Sequence, residues 1–223
     1  MRPEMIRFTD QSPVKPIAGA LESYPYHWHD TMEILQVFRG ALRLGVGDEE
    51  LPLREGDVAV VNVGEIHRIT GGQPDNLVLS IHVDAGFYRK AVRRYGYSFI
   101  YCCSAYHEAV VPEKYRTLKE HISRLVKAIS DTYSDSVALG ESLTPGKGRT
   151  SPGVRSSGAT DVGGKPGMDG NTGASAYAKV EESLTMLLIH LQANFDFLRW
   201  GYGTVPFDDR RVERLRQIAD HVT

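Results

Sequence analysis

Cysteine is almost absent from this 223-residue chain: only Cys102 and Cys103 occur, and they are adjacent. Direct neighbours rarely close a disulfide, so the expectation is a buried apolar pair of reduced thiols in a cytoplasmic protein. Long apolar runs are lacking too. Nothing behind Met1-Arg2-Pro3-Glu4 reads as a signal peptide, and no later stretch reaches membrane-spanning length, which predicts a chain with no membrane partner. Neither sign of charge is in excess, with 26 Lys and Arg against 28 Asp and Glu and a net charge of -2. Phosphate binding needs clustered cations, so this balance argues against a dedicated nucleic-acid surface over most of the chain. A nucleophile elbow, a phosphate loop and a dinucleotide fingerprint are all missing, which lowers the expectation of an enzyme but leaves metal chemistry open.

What is present begins with β patterning. With 41% apolar residues the chain can bury a core and carry an appendage. After an arm punctuated by Pro3, Pro13, Pro16 and Gly19, residues 33–38 read as a strand. Leu42, Leu44 and Val46 then alternate up to a turn at Gly47-Asp48-Glu49, with Leu51 and Leu53 beyond it. Residues 58–61, 67–69 and 77–83 supply further strands between Gly- and Pro-containing turns, the pattern of a jelly-roll barrel or sandwich. Phe87-Tyr88 and Ala91-Val92 predict a short helix, and residues 98–103 a strand or buried segment.

Helical periodicity follows. Tyr115, Leu118, Ile122, Leu125, Val126, Ile129 and Tyr133 recur at three and four from a start at Pro112. The same spacing runs through Tyr177, Val180, Leu184, Leu187, Leu188, Leu191, Phe195 and Leu198, with Met186 and Ile189 widening the stripe. Between these helices, residues 144–176 hold nine of the 22 glycines and three prolines, with no Leu, Ile or aromatic residue. Such a stretch cannot bury enough apolar surface to offset its ordering entropy, and it reads as a disordered insertion in a helical hairpin. The expected organisation is a barrel over 1–110, a helical dimerisation region over 111–200, and a linker with one helix over 201–223. That last helix would start at Asp208-Asp209 and carry Arg210, Arg211, Arg214 and Arg216 around an apolar face.

Chemistry concentrates in His27-Trp28-His29-Asp30-Thr31-Met32-Glu33 and in His67. His27, His29 and Glu33 are all odd-numbered, so on a single strand they would share a face, with His67 brought in by the fold. Three imidazoles and a carboxylate suit a divalent first-row metal such as Zn, Ni, Fe or Mn, and they suit equally a metal-free polar ligand pocket. Tyr24, Tyr26 and Trp28 read either as an aromatic rim gripping a ligand such as a sugar or as packing residues. Arg89, Lys90, Arg93 and Arg94 read as a solvated helix face.

The spacing His27, His29, Glu33, Gly40, followed by Gly56, Asn62, Val63, Gly64 and His67, resembles the two motifs of the cupin superfamily. Three positions depart from that pattern: Leu21 replaces a Gly, Asn62 a Pro and Gly71 an Asn. A cupin barrel followed by a helical pair and an arginine-rich helix start resembles the sensor half of an AraC/XylS-type transcription regulator. That resemblance implies a small-molecule effector, a homodimer and no catalytic residues. It also implies that DNA is contacted only through a C-terminal domain lying beyond this sequence, with no cofactor strictly required. The alternative it leaves open is a metal-dependent cupin enzyme, a dioxygenase or isomerase.

Overall fold

The computed structural model describes residues 2–8, 12–71, 75–92, 98–138 and 171–197, and in it the alternating apolar positions draw the chain into two facing sheets. One sheet contains β1 (Arg2–Pro3), β3 (Ser23–Trp28), β5 (Ala41–Val46), β6 (Glu49–Arg54) and β8 (His67–Gly71), in the order β1-β3-β8-β5-β6. The other contains β2 (Val14–Gly19), β4 (Met32–Arg39), β7 (Val58–Val61) and β9 (Leu77–Val83), in the order β2-β9-β4-β7. Every pairing is antiparallel except that of β1 with β3. Strands distant in sequence lie side by side, β3 and β5 both flanking β8 and β4 flanking β9, so the chain forms the expected jelly-roll barrel.

Side chains alternate between two cores. Leu35, Val37, Leu42, Leu44, Leu53, Val61 and Val78 fill the barrel interior, whereas Met32, Ile34, Val58, Val60, Leu79 and Ile81 face the helices. The run Val58–Val61 is buried throughout because one pair of its residues faces each core. Among the described residues four helices follow: α1 (Ala85–Val92), α2 (Ser104–His107), α3 (Pro112–Ala138) and α4 (Asn171–Phe195). α3 packs on α4 through Leu118, Ile122, Leu125, Leu184, Leu187, Leu188 and Leu191, and the pair covers the outer face of the four-stranded sheet. One apolar core therefore spans the boundary drawn at residue 110.

Two local expectations change, and one left open is decided. β3 ends at Trp28 and β4 begins at Met32, so His27 and Glu33 stand on strands of different sheets and not on one strand. The break is local: Thr31 presents its hydroxyl and carbonyl oxygens to His29 Nδ1, each at 2.9 Å, and this competing side-chain bonding turns the backbone. Of the two readings open for residues 98–103 the buried segment holds: Ile100, Cys102 and Cys103 are buried and no continuous strand forms. The segment makes single bridges, Ala59 with Cys103 and Ile100 with Asp196. α4 begins at Asn171, so the last six residues of the expected insertion are helical; residues 144–170 of that insertion and the helix expected over 208–223 lie outside the described residues. Both cysteines are free and buried, and burial pushes the Cys102 thiol well up. Among the described residues no helix is long and apolar enough to cross a membrane.

Candidate functional site

The turn after β3, the start of β4 and the start of β8 converge at one end of the barrel. Gly64, with φ +74°, lets the chain reverse there, and its N–H bonds to the His29 carbonyl at 2.9 Å. His67 then pairs directly opposite His27. The rings of His27 and His67 lie 4.0 Å apart, and those of His29 and His67 4.9 Å. Glu33 Oε2 sits 3.3 Å from His29 Nε2 and 3.2 Å from His67 Nε2. All four residues are between 0 and 5% exposed. The fold thus brings together all four expected ligand positions.

Each of the three histidines is anchored in the same way. Nδ1 of His27 lies 2.9 Å from the Pro25 carbonyl, that of His29 2.9 Å from the Thr31 carbonyl, and that of His67 2.9 Å from the Glu65 carbonyl. A carbonyl only accepts, so each Nδ1 carries a hydrogen and Nε2 is the ring nitrogen that faces the cluster. His67 Nε2 lies off the line of a hydrogen bond to Glu33 and makes no other bond. Glu33 Oε2 shares a 3.3 Å hydrogen bond with His29 Nε2, and a divalent cation can take the place of the shared proton among these converging atoms. A divalent metal therefore fits these residues: the ligand atoms of His27, His29 and His67 all lie within 4.8 Å of one another, and backbone carbonyls already fix the tautomers that metal ligation requires.

The charges bear the imprint of this crowding. Burial opposes ionisation of Glu33, but the side chains of His29 and His67 outweigh it and hold the carboxyl well below the usual carboxylate range. Burial opposes protonation of His67, and the Glu33 carboxylate overcomes it and raises the pKa. Burial, together with the neighbouring His67, lowers that of His27.

Sequence reasoning missed four participants. His82 on β9 pairs with Glu33 in register, with its Nε2 3.8 Å from Glu33 Oε1, and burial lowers its pKa to about 4. Ser80 donates a 2.6 Å hydrogen bond to Glu33 Oε1, and Thr31 Oγ1 lies 3.2 Å from His82 Nδ1. The ligand atoms of His29, Glu33 and His82 form a second set within 4.8 Å of one another. From the amino-terminal arm, Glu4 places Oε2 3.3 Å from His27 Nε2, and its N–H bonds to the Trp28 carbonyl. The alternation Val78, Ser80, His82 was the one available signal for the β9 pair.

Of the three aromatic residues expected at a rim, only Tyr24 reaches the cluster, its ring 4.4 Å from that of His27 across a register shift in β3. Tyr26 instead donates its hydroxyl to the Gly47 carbonyl and stacks under Arg68, and Trp28 is exposed. Arg89 and Lys90 are solvent-exposed on α1, as expected, and Arg93 and Arg94 lie outside the described residues.

The motif departures have structural reasons. Asn62 accepts from the Ile100 N–H and donates to the Ile100 carbonyl, and its own N–H bonds to Glu65, a bond a proline could not make. Leu21 is held at both its N–H and its carbonyl by the Asn76 side chain. A Cβ at position 71 would fall on the carbonyl oxygens of Leu21 and Glu22, so Gly71 makes room for the backbone of the segment that carries Leu21.

Residues 18–144 match a family model described as the AraC-like ligand binding domain. Among solved structures, the chain is similar to KdgF from Halomonas sp. at 21% identity, over 34% of this chain and 74% of that one, with a TM-score of 0.31. It is also similar to a mutant of Bacillus subtilis oxalate decarboxylase OxdC at 21% identity, over 33% of this chain and 22% of that one, again with a TM-score of 0.31. A further structure of the same decarboxylase, described for its Mn(II) centres, matches at 21% identity over the same shares, with a TM-score of 0.30. No curated protein matches the chain.

Proposed function

The chain belongs to the family of AraC-like ligand binding domains, and on that premise we propose that it is the small-molecule-sensing and dimerisation region of an AraC-type transcription regulator, with its effector site at the histidine cluster. The observation that carries this reading is the convergence of four buried donor residues with pre-set tautomers at one end of the barrel. His27, His29, Glu33 and His67 would hold a divalent metal there, which supplies a Lewis-acidic centre when bound. The backbone carbonyls of Pro25, Thr31 and Glu65 orient the rings, and Ser80 orients Glu33.

Effector binding must differ between two arrangements of the chain to carry a signal. Glu4 is placed to report it, because anything that binds His27 Nε2 competes with the arm for that atom. The homodimer belongs to this proposal, through the outward face of α4, where Met186 and Ile189 are 49% and 40% exposed. So do a cytoplasmic location and contact with DNA through a domain outside the described residues. Thermal-shift titration of the purified chain with divalent metals and with sugars tests the reading. A shift abolished by His29→Ala supports it. Multiple turnovers of an organic substrate by metal-loaded protein would replace it with the enzyme alternative.

A further inference from the structure

Resting on the sensor reading above, we propose that the mouth of the barrel is a carboxylate-binding site formed by Tyr24 and His27, that Glu4 fills it as the protein's own occupant, and that the effector is a small organic carboxylate that takes the place of Glu4. The arm's backbone pairing is short. β1 is two residues long and sets Arg2 opposite His27 and Pro3 opposite Trp28, and the Glu4 N–H adds a 2.8 Å bond to the Trp28 carbonyl. The Glu4 carboxylate, in contrast, is held from two sides. Its Oε2 stands 3.3 Å from His27 Nε2, and the Tyr24 hydroxyl, whose pKa is raised by burial and then by Glu4, donates a hydrogen bond to it. On a regular strand residues 24 and 27 would face opposite sides, but the register shift between them in β3 brings both to Glu4. Their rings meet edge to face with centroids 4.4 Å apart, so the two recognising groups are fixed against each other. Positive charge at His27 Nε2, as a proton or as the divalent cation that fits the cluster, completes the match to an anion.

The surroundings set the size and class of the ligand. A hydroxyl donor beside a positively charged imidazole nitrogen recognises an anionic oxygen, and a neutral sugar brings no charge to it. Beyond its Cα the Glu4 side chain has the skeleton of propionate, so withdrawal of the arm vacates room for a short acid. Below the histidines the barrel is filled by the packed side chains of Leu35, Val37, Leu42, Leu44 and Leu53, which keeps a ligand from going deeper. The Glu4 side chain itself is 30% exposed, and a longer acid extends outward along that open side. A tethered carboxylate competes at an effective concentration on the order of millimolar, so the arm sets the threshold at which a free acid is sensed. Displacement then converts occupancy of the mouth into a change in the position of the arm.

The test is isothermal titration calorimetry of the full chain with propionate, with and without zinc chloride. Glu4→Ala, its fold checked by circular dichroism, should bind propionate about tenfold or more tightly than wild type, because the tethered competitor is gone. Propionamide, which has the same shape and no charge, should not bind, and Tyr24→Phe added to Glu4→Ala should weaken propionate binding roughly tenfold. If Glu4→Ala does not fold, Glu4→Gln is read by the same criteria. A folded variant that binds no propionate, with zinc or without it, overturns the proposal. So does equal affinity of wild type and variant, or propionamide binding as tightly as propionate. If propionate fails in this way while a sugar raises the melting temperature of the wild type in a His29-dependent manner, the carboxylate inference falls and the sensor reading stands.

Discussion

Protonation of the buried imidazoles governs how the metal-free protein meets acid. His82 titrates at about 4 in the folded chain against an ordinary value of 6.5. Between those values the unfolded chain binds more protons, so stability is fully present above 6.5 and falls as pH drops toward 4, by on the order of 3 kcal/mol. Glu33, with its depressed carboxyl, loses its contribution in the same direction at lower pH. His67 runs the other way: its raised pKa gives a contribution present below 6.5 and lost as pH rises through its folded value. Urea midpoints of the chelator-treated protein at pH 7 and pH 4.5 should therefore fall with acidification, and His82→Gln should flatten that dependence. An equally steep fall in the variant would mean that His82 is not the group responsible.

β5 and the two long helices were legible because each repeats a local period: Leu42, Leu44 and Val46 at two, and Leu118, Ile122 and Leu125 at three and four. His82 was not, because its place beside Glu33 is fixed by the register of β9 on β4, two strands far apart in sequence. The turn at residues 29–31 was also hidden, since parity arguments assume an unbroken strand. The clamp from Asn62 to Ile100 likewise joins a loop to a segment with no regular structure of its own. Asn62→Ala leaves the Ile100 N–H and carbonyl buried without these partners, and should cost about 2 kcal/mol or more. Gly71→Asn, which restores the common cupin residue, should also lower the melting temperature, because the Leu21–Glu22 backbone would have to move. Calorimetry of the two variants checks both expectations, and a Gly71→Asn protein as stable as wild type would refute the second.

At the scale of the whole molecule, the helical pair serves first as the cover of the barrel. Leu187 and Leu191 are fully buried between the helices and the sheet, so charges there should unfold the chain and not merely separate protomers, and Leu187→Ala should cost about 2–5 kcal/mol. The surface left for a second copy is the outward face with Met186 and Ile189. Replacing both with Glu should give a folded monomer by light scattering, while an unchanged dimer would move the interface elsewhere. The account as a whole turns on whether the converging imidazoles and Glu33 hold a metal in the native protein. Elemental analysis of wild type and His29→Ala, both purified without chelator from metal-replete cells, tests this most directly. The account predicts close to one zinc, nickel, iron or manganese ion per wild-type chain and most of it lost from the variant. A wild-type protein with no bound metal, or a variant that keeps its full complement, would contradict it.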